Sequence, residues 1–137
     1  MKRRTCLKAM LAAVGTGVIR AATGKVVIPA DHGHPIELHL DLAVDPAKEQ
    51  EMLHLFETSF RPVVSRQPGY IDVKMLKLSS TLRGPAPPGA NYQFVLTFAS
   101  EELRQKWVAT ATHKKLWLAI ENTLVFRNYS RLLYEVY

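Results

Sequence analysis

A single cysteine, Cys6, stands in the 137 residues, and it falls in a segment that reads as removable. Disulfide frameworks, thiolate nucleophiles and cysteine-held metals are excluded with it. Long apolar runs are missing too. The stretch from Ala9 to Ile19 is far shorter than the ~20 residues of a membrane-spanning helix, and Gly15, Thr16 and Gly17 dilute it. The seven glycines make no phosphate-binding loop, and no Ser-His-Asp candidate motif, helical H-E-x-x-H or internal repeat emerges. Acid is absent from the first 24 residues, which nevertheless carry Lys2, Arg3, Arg4, Lys8 and Arg20.

That asymmetry decides how the net charge is read. The formal charge is +6 from 18 basic and 12 acidic residues; without the first 24 residues, 13 basic residues face the same 12 acids. The excess is an address label, and no basic stripe with interleaved aromatics remains to hold nucleic acid. A charged start, an apolar middle and a small-residue exit are the three parts of an export signal. Lys2-Arg3-Arg4-Thr5-Cys6-Leu7-Lys8 resembles the bacterial twin-arginine signal, with Cys6 where Phe is commoner and Arg20 closing the apolar run. Residues 1–24 are expected to be cleaved near Ala22 to Gly24, leaving a periplasmic or secreted protein without a permanent membrane anchor. The alternative is an amphipathic or disordered N-terminal arm.

Residues 25–35 read as a lead-in with a short strand at Val26-Val27-Ile28. Asp31-His32-Gly33-His34 offers two histidines at i, i+2, at most a partial and adventitious metal site, so no metal centre is expected. In residues 36–137 the patterning is regular. Ile36, Leu38, Leu40 and Leu42 alternate with Glu37, His39 and Asp41, a strand with one apolar face. Asp45-Pro46 caps and opens a helix over residues 46–66, with Leu53, Phe56, Phe60 and Val63 at helical spacing; His54 lies off that stripe. YIDVKMLKLSS and NYQFVLTFAS read as strands two and three, the latter with Tyr92, Phe94, Leu96 and Phe98 on one face. TLRGPAPPGA between them is a hairpin loop. Ser100 caps a second helix through Leu103 and Trp107 that breaks near Ala109 to Thr112 and resumes through Leu116 and Ile120. VFRNYSRLLYEVY supplies a fourth strand.

The order β-α-β-β-α-β predicts an α+β, ferredoxin-like fold with a four-stranded antiparallel sheet and both helices on one face. No helix remains for the other face, and the same face of a second copy would cover it, giving a homodimer.

PGYIDVKML after the first helix, FASEELRQKWVATATHKKLW around the second and the terminal YEVY resemble the antibiotic-biosynthesis-monooxygenase family of dimeric α/β barrels over residues 35–137. The resemblance implies a cofactor-independent monooxygenase acting on a small aromatic or quinone-like molecule in a pocket between sheet and helices. In such a pocket a base, an oxyanion donor and exclusion of water let the substrate pass an electron to oxygen. It implies Trp107 beside the substrate. Aligned on Trp107, Trp117 stands where haem-degrading members carry their iron-ligating histidine, and Leu40 or His39 stands in place of a first-strand asparagine. Haem degradation is disfavoured, with His113 as a displaced ligand the exception, and no cofactor is expected.

The catalytic candidates are His39, flanked by Glu37 and Asp41; Trp107; and His113, at the helix break. Tyr92, Trp117 and Asn128, with Tyr129, are candidates for substrate binding. Each has a bland reading beside it: a strand histidine pairing across the sheet, a core tryptophan, an exposed histidine beside Lys114 and Lys115, ordinary sheet residues. The fold hosts catalysts and plain ligand binders alike. A non-catalytic small-ligand-binding dimer is therefore the alternative, and a structural partner of a larger complex a third reading.

Overall fold

The computed structural model describes residues 33–137; residues 1–24, expected to be an export signal, and residues 25–32 of the lead-in, including the strand expected at Val26–Ile28 and the Asp31-His32 pair, lie outside the described residues. Strand β1, Ile36–Leu42, buries Ile36, Leu40 and Leu42, as its alternation requires. At its end Asp45 accepts a hydrogen bond from the Ala47 N–H at 2.9 Å and opens a 3₁₀ turn, Pro46–Lys48.

The helix expected over 46–66 forms, but not as one regular cylinder. Helix α1, Glu49–Leu55, passes into a π-helical turn, Phe56–Phe60, before α2, Arg61–Val64. Pro62 explains the widening: it lacks an N–H, and its ring crowds the carbonyl four residues back, that of Thr58 within the π turn. The Thr58 hydroxyl also donates to the His54 carbonyl at 2.7 Å, a back-bond that loosens helices. Phe56 and Phe60 both lie in the core, as their spacing requires, but beyond the π turn Val64 is buried in place of the expected Val63.

Gly69 (φ +89°) reverses the chain into strand β2, Tyr70–Lys77, which carries a bulge between Tyr70 and Asp72. The Pro/Gly-rich loop leads to β3, Tyr92–Phe98. Ser100 accepts from the Leu103 N–H at 3.2 Å and starts α3, Glu101–Val108. The break expected between Ala109 and Thr112 is present. Thr110 accepts from the His113 N–H at 3.1 Å and starts α4, Ala111–Glu121. The last strand is shorter than its sequence suggests: β4 covers Arg131–Glu135 only. Val125 is drawn away by its N–H donating to the Ala43 carbonyl at 2.8 Å, so Asn128 and Tyr129 precede the strand.

The strands order β2-β3-β1-β4, all antiparallel. This is the ferredoxin-like α+β fold, and within one chain the sheet is open, with β2 and β4 as edges. The inner face carries Leu40, Leu42, Phe94, Leu96 and Phe98 against Met52, Phe56, Phe60, Trp107, Trp117 and Ile120 from the helical layer. The outer face is mixed. Registers Glu37↔Thr97, His39↔Val95 and Asp41↔Gln93 put polar residues beside the exposed Leu76, Leu132 and Tyr134.

Candidate functional site

A cleft of about 270 Å³ opens between the inner sheet face and the helices. Leu38 and Leu40 of β1 and Phe94 and Leu96 of β3 form its floor. The π turn supplies Phe60, α3 supplies Arg104 and Val108, and α4 supplies His113 and Trp117. Tyr129, Arg131 and Leu133 close the side along β4.

Phe60 is the hub of the aromatic wall, with ring centroids 5.7 Å from Trp117, 6.0 Å from Trp107 and 6.2 Å from His113. Trp117 also packs on Phe94 at 4.9 Å. Its indole N–H donates to the Tyr129 hydroxyl at 2.8 Å, and that hydroxyl donates to Glu121 Oε2 at 2.6 Å. Burial, reinforced by the Glu121 hydrogen bond, raises the Tyr129 pKa. The phenol stays protonated and holds Trp117 in place.

His113 is the one titratable imidazole in the cleft. Its ring meets Trp107 edge-on, with centroids 5.1 Å apart and planes at 83°. Its Nδ1 and the Nε1 of Trp107 are buried without a hydrogen-bond partner among the described residues. Desolvation, with the Arg104 charge next, lowers the His113 pKa to about 4, so at neutral pH it is an uncharged imidazole with a free basic lone pair. Arg104 is engaged elsewhere: Glu101 grips it through two hydrogen bonds of 2.7 and 2.6 Å. That guanidinium holds the Glu101 carboxyl below the usual carboxylate range.

Trp107, His113 and Trp117 thus converge, although Trp107 backs His113 from within the core and is only 3% exposed. His39 does not join them. The alternation of β1 turns it to the outer face, where Nε2 lies 2.7 Å from Glu37 Oε1 and the ring sits 4.7 Å from Tyr134. It therefore cannot act inside the cleft of its own chain. Tyr92 is on the inner face but beyond the cleft. Its hydroxyl donates to Glu49 Oε2 at 2.5 Å, and burial followed by the Glu49 hydrogen bond pushes its pKa up to about 12. Asn128 borders a separate open depression with Asp41, Phe126 and Pro87. A further depression of about 390 Å³ lies under the β2–β3 loop, beside Lys77 and Arg83; it is larger but has no aromatic wall of comparable size.

The patterning reading missed three residues. Phe60 reads as plain core, and its ring also lines the cleft. Arg104 stands one turn before Val108 on the same face of α3, and Arg131 alternates with Leu133 on the inward side of β4, so period counting would have found both. Among the described residues no three His, Cys, Asp or Glu side chains gather in metal-binding geometry.

No protein-family profile matches the chain, and no curated protein sequence does. Solved structures match at the level of fold. A Caulobacter crescentus protein provisionally named an antibiotic biosynthesis monooxygenase is 17% identical with TM-score 0.62, covering 76% of this chain and 91% of that one. SnoaB, a cofactor-independent oxygenase from Streptomyces nogalater, is 10% identical with TM-score 0.55, covering 77% and 95%. A dimeric ferredoxin-like protein from a Jannaschia species is 11% identical with TM-score 0.58, covering 75% and 98%. These likenesses establish the ferredoxin-like fold shared with such proteins.

Proposed function

We propose that this chain is a homodimeric, cofactor-independent oxygenase that oxidises a small hydroxyaromatic molecule in the cleft between Phe60, His113 and Trp117. The observation that carries the reading is an uncharged, partly buried imidazole set in an aromatic wall with no carboxylate among the lining residues. The fold it shares with SnoaB and with the provisionally named monooxygenases supports it.

In this reading the aromatic wall takes the flat face of the ligand, and His113 accepts the proton of its hydroxyl. The resulting phenolate is an electron-rich donor. It passes one electron to dioxygen; the aryl radical and superoxide combine at the ring carbon para to the oxygen. Loss of water from that hydroperoxide gives the quinone, so phenol and dioxygen become quinone and water with no external reductant. Arg131, the cation of the cleft that no carboxylate pairs among the described residues, steadies the negative charge while it exists.

The dimer is part of the proposal. Leu76, Leu132 and Tyr134 stand exposed on the helix-free face, and the Jannaschia neighbour is described as dimeric. The Glu37–His39 pair would then lie in the seam. Export through the signal of residues 1–24 belongs to the same proposal; replacing Arg3 and Arg4 with lysine is expected to leave the precursor in the cytoplasm on fractionation.

The test is oxygen uptake by the purified protein with phenols and 1-naphthols whose para carbon carries hydrogen. Uptake with stoichiometric quinone, lost in His113→Gln, is the expected result. A second reading has an observation in its favour: an imidazole with pKa of about 4 is a weak base, which suits a ligand binder. Ligand binding without any oxygen uptake across the panel would select the binder.

A further inference from the structure

Among the described residues the charges lining the cleft are all of one sign: Arg104 and Arg131, with no carboxylate. Arg104 is neutralised by the two-point grip of Glu101. Arg131 is not. Among the described residues it makes no ion pair and no side-chain hydrogen bond, and its guanidinium lies over the Tyr129 ring, 5.5 Å from the centroid. The carboxylate nearest that ring in the hydrogen-bond chain, Glu121, is already taken by the Tyr129 hydroxyl at 2.6 Å. The cleft therefore presents one uncompensated cation on its strand side and one uncharged imidazole on its helix side, with aromatic rings between.

We propose that the ligand of this cleft is a hydroxyaryl carboxylate, its carboxylate on the Arg131 guanidinium and its hydroxyl toward His113. The inference rests on the cleft being the ligand site of the proposed function, and it names what that site selects.

The guanidinium fork matches a carboxylate in two parallel hydrogen bonds, which a single phenolate oxygen cannot reproduce. Stacking on Tyr129 holds the fork ready and limits the entropy lost on capture. Arg131 is solvent-exposed at the rim, so a carboxylate there keeps part of its hydration and avoids the desolvation cost of a deeply buried ion pair. Size points the same way. About 270 Å³ is at the small end of ligand clefts, which run about 300–1,000 Å³, and suits one or two fused rings.

Titration calorimetry with three probes of one size tests it: 6-hydroxy-2-naphthoate, 2-naphthol and 2-naphthoate. The rim position sets the expectation between exposed and buried charged contacts, so hydroxynaphthoate should bind about five- to tenfold tighter than naphthol. Arg131→Gln should erase that preference and weaken 2-naphthoate equally, with a smaller loss of naphthol affinity and only a small change in melting temperature from the lost contact with Tyr129. Arg131→Lys should restore part of it. Equal affinities for hydroxynaphthoate and naphthol in the native protein would overturn the inference while leaving the cleft reading intact. A preference that survives Arg131→Gln but vanishes in Arg83→Gln would overturn it as well, by moving the carboxylate to the loop depression. Absence of binding by all three probes would overturn the cleft reading itself.

Discussion

Replacing His113 with glutamine separates the electrostatics of the cleft from its shape, because glutamine keeps a polar amide near Nε2 and cannot titrate. The imidazole falls from an ordinary pKa of 6.5 to about 4 in the folded chain, chiefly through desolvation. As pH drops below 6.5 the unfolded chain takes up the proton first, while the folded chain resists until about pH 4. Stability contributed by the neutral ring is therefore complete above pH 6.5, declines through the window from 6.5 to 4, and is lost below it. Solvent at the half-buried ring screens part of that gap, which leaves a contribution on the order of 1–3 kcal/mol.

Urea unfolding of the native and His113→Gln proteins at intervals between pH 8 and 4 measures it. The carboxylates with lowered pKa values, Glu37, Glu49 and Glu101, also lose stability on the acid side, but they are common to both proteins and cancel in the difference. The native protein should lose about 1–3 kcal/mol more than the variant across the window. The His113 ring protons should show no titration above pH 5 by NMR. Parallel stability profiles, or an NMR midpoint near 6.5, would refute the assignment of His113 as a desolvated, uncharged imidazole.

Phe60→Ala removes the hub shared by Phe94, Trp107, Trp117 and His113 and should cost about 3–5 kcal/mol in chemical denaturation. A loss under 1 kcal/mol, on the order of a surface change, would mean the aromatic wall is not close-packed. Gly69→Ala places a Cβ 2.6 Å from Leu103 Cδ1 at φ +89°; α3 must shift, and a drop in melting temperature of several degrees should accompany about 1–2 kcal/mol. Trp117→Phe leaves a smaller aromatic ring and deletes the N–H held by Tyr129. Affinity for hydroxyaryl probes should fall while stability changes by roughly 1 kcal/mol, and unaltered affinity would remove Trp117 from the site.

Alternation and capping carried most of the fold. The alternation of Ile36, Leu38, Leu40 and Leu42, the Asp45 and Ser100 caps and the helix break capped by Thr110 all appear where elementary rules put them. The π turn did not, because its cause is a competition between Pro62 and the ladder behind it that no periodicity displays. β4 is shorter than its β-branched composition suggests, since Val125 pairs with Ala43 instead of entering the sheet. His113, expected at the helix break, and Trp117, singled out through the family resemblance, both line the cleft. His39 went astray for a plain reason. Its flanking carboxylates suggested a base, yet the alternation that defines β1 as a strand also sends every odd-numbered side chain away from the helices. Arg131 was legible by the same alternation and was overlooked because charged residues on an edge strand are ordinarily solvated.

The low basicity of His113 shapes what the cleft can oxidise. Proton transfer from a phenol of ordinary acidity, near 10, to an imidazole at about 4 runs uphill by roughly 8 kcal/mol. One turnover per second tolerates a barrier of about 17 kcal/mol, so an ordinary phenol would consume nearly half of it before oxygen is involved. For the imidazole, burial and the two arginines act in the same direction. For a phenol they oppose each other, burial raising its pKa and the positive charges lowering it, so the mismatch must be closed by the ligand's own acidity. Turnover should therefore rise across a series of 1-naphthols as their hydroxyl pKa falls, by up to tenfold per unit while proton transfer limits the rate, and the pH–rate profile should follow the ligand's pKa and show no inflection near 6.5. A rate independent of ligand acidity would refute proton transfer to His113 as the step that limits turnover.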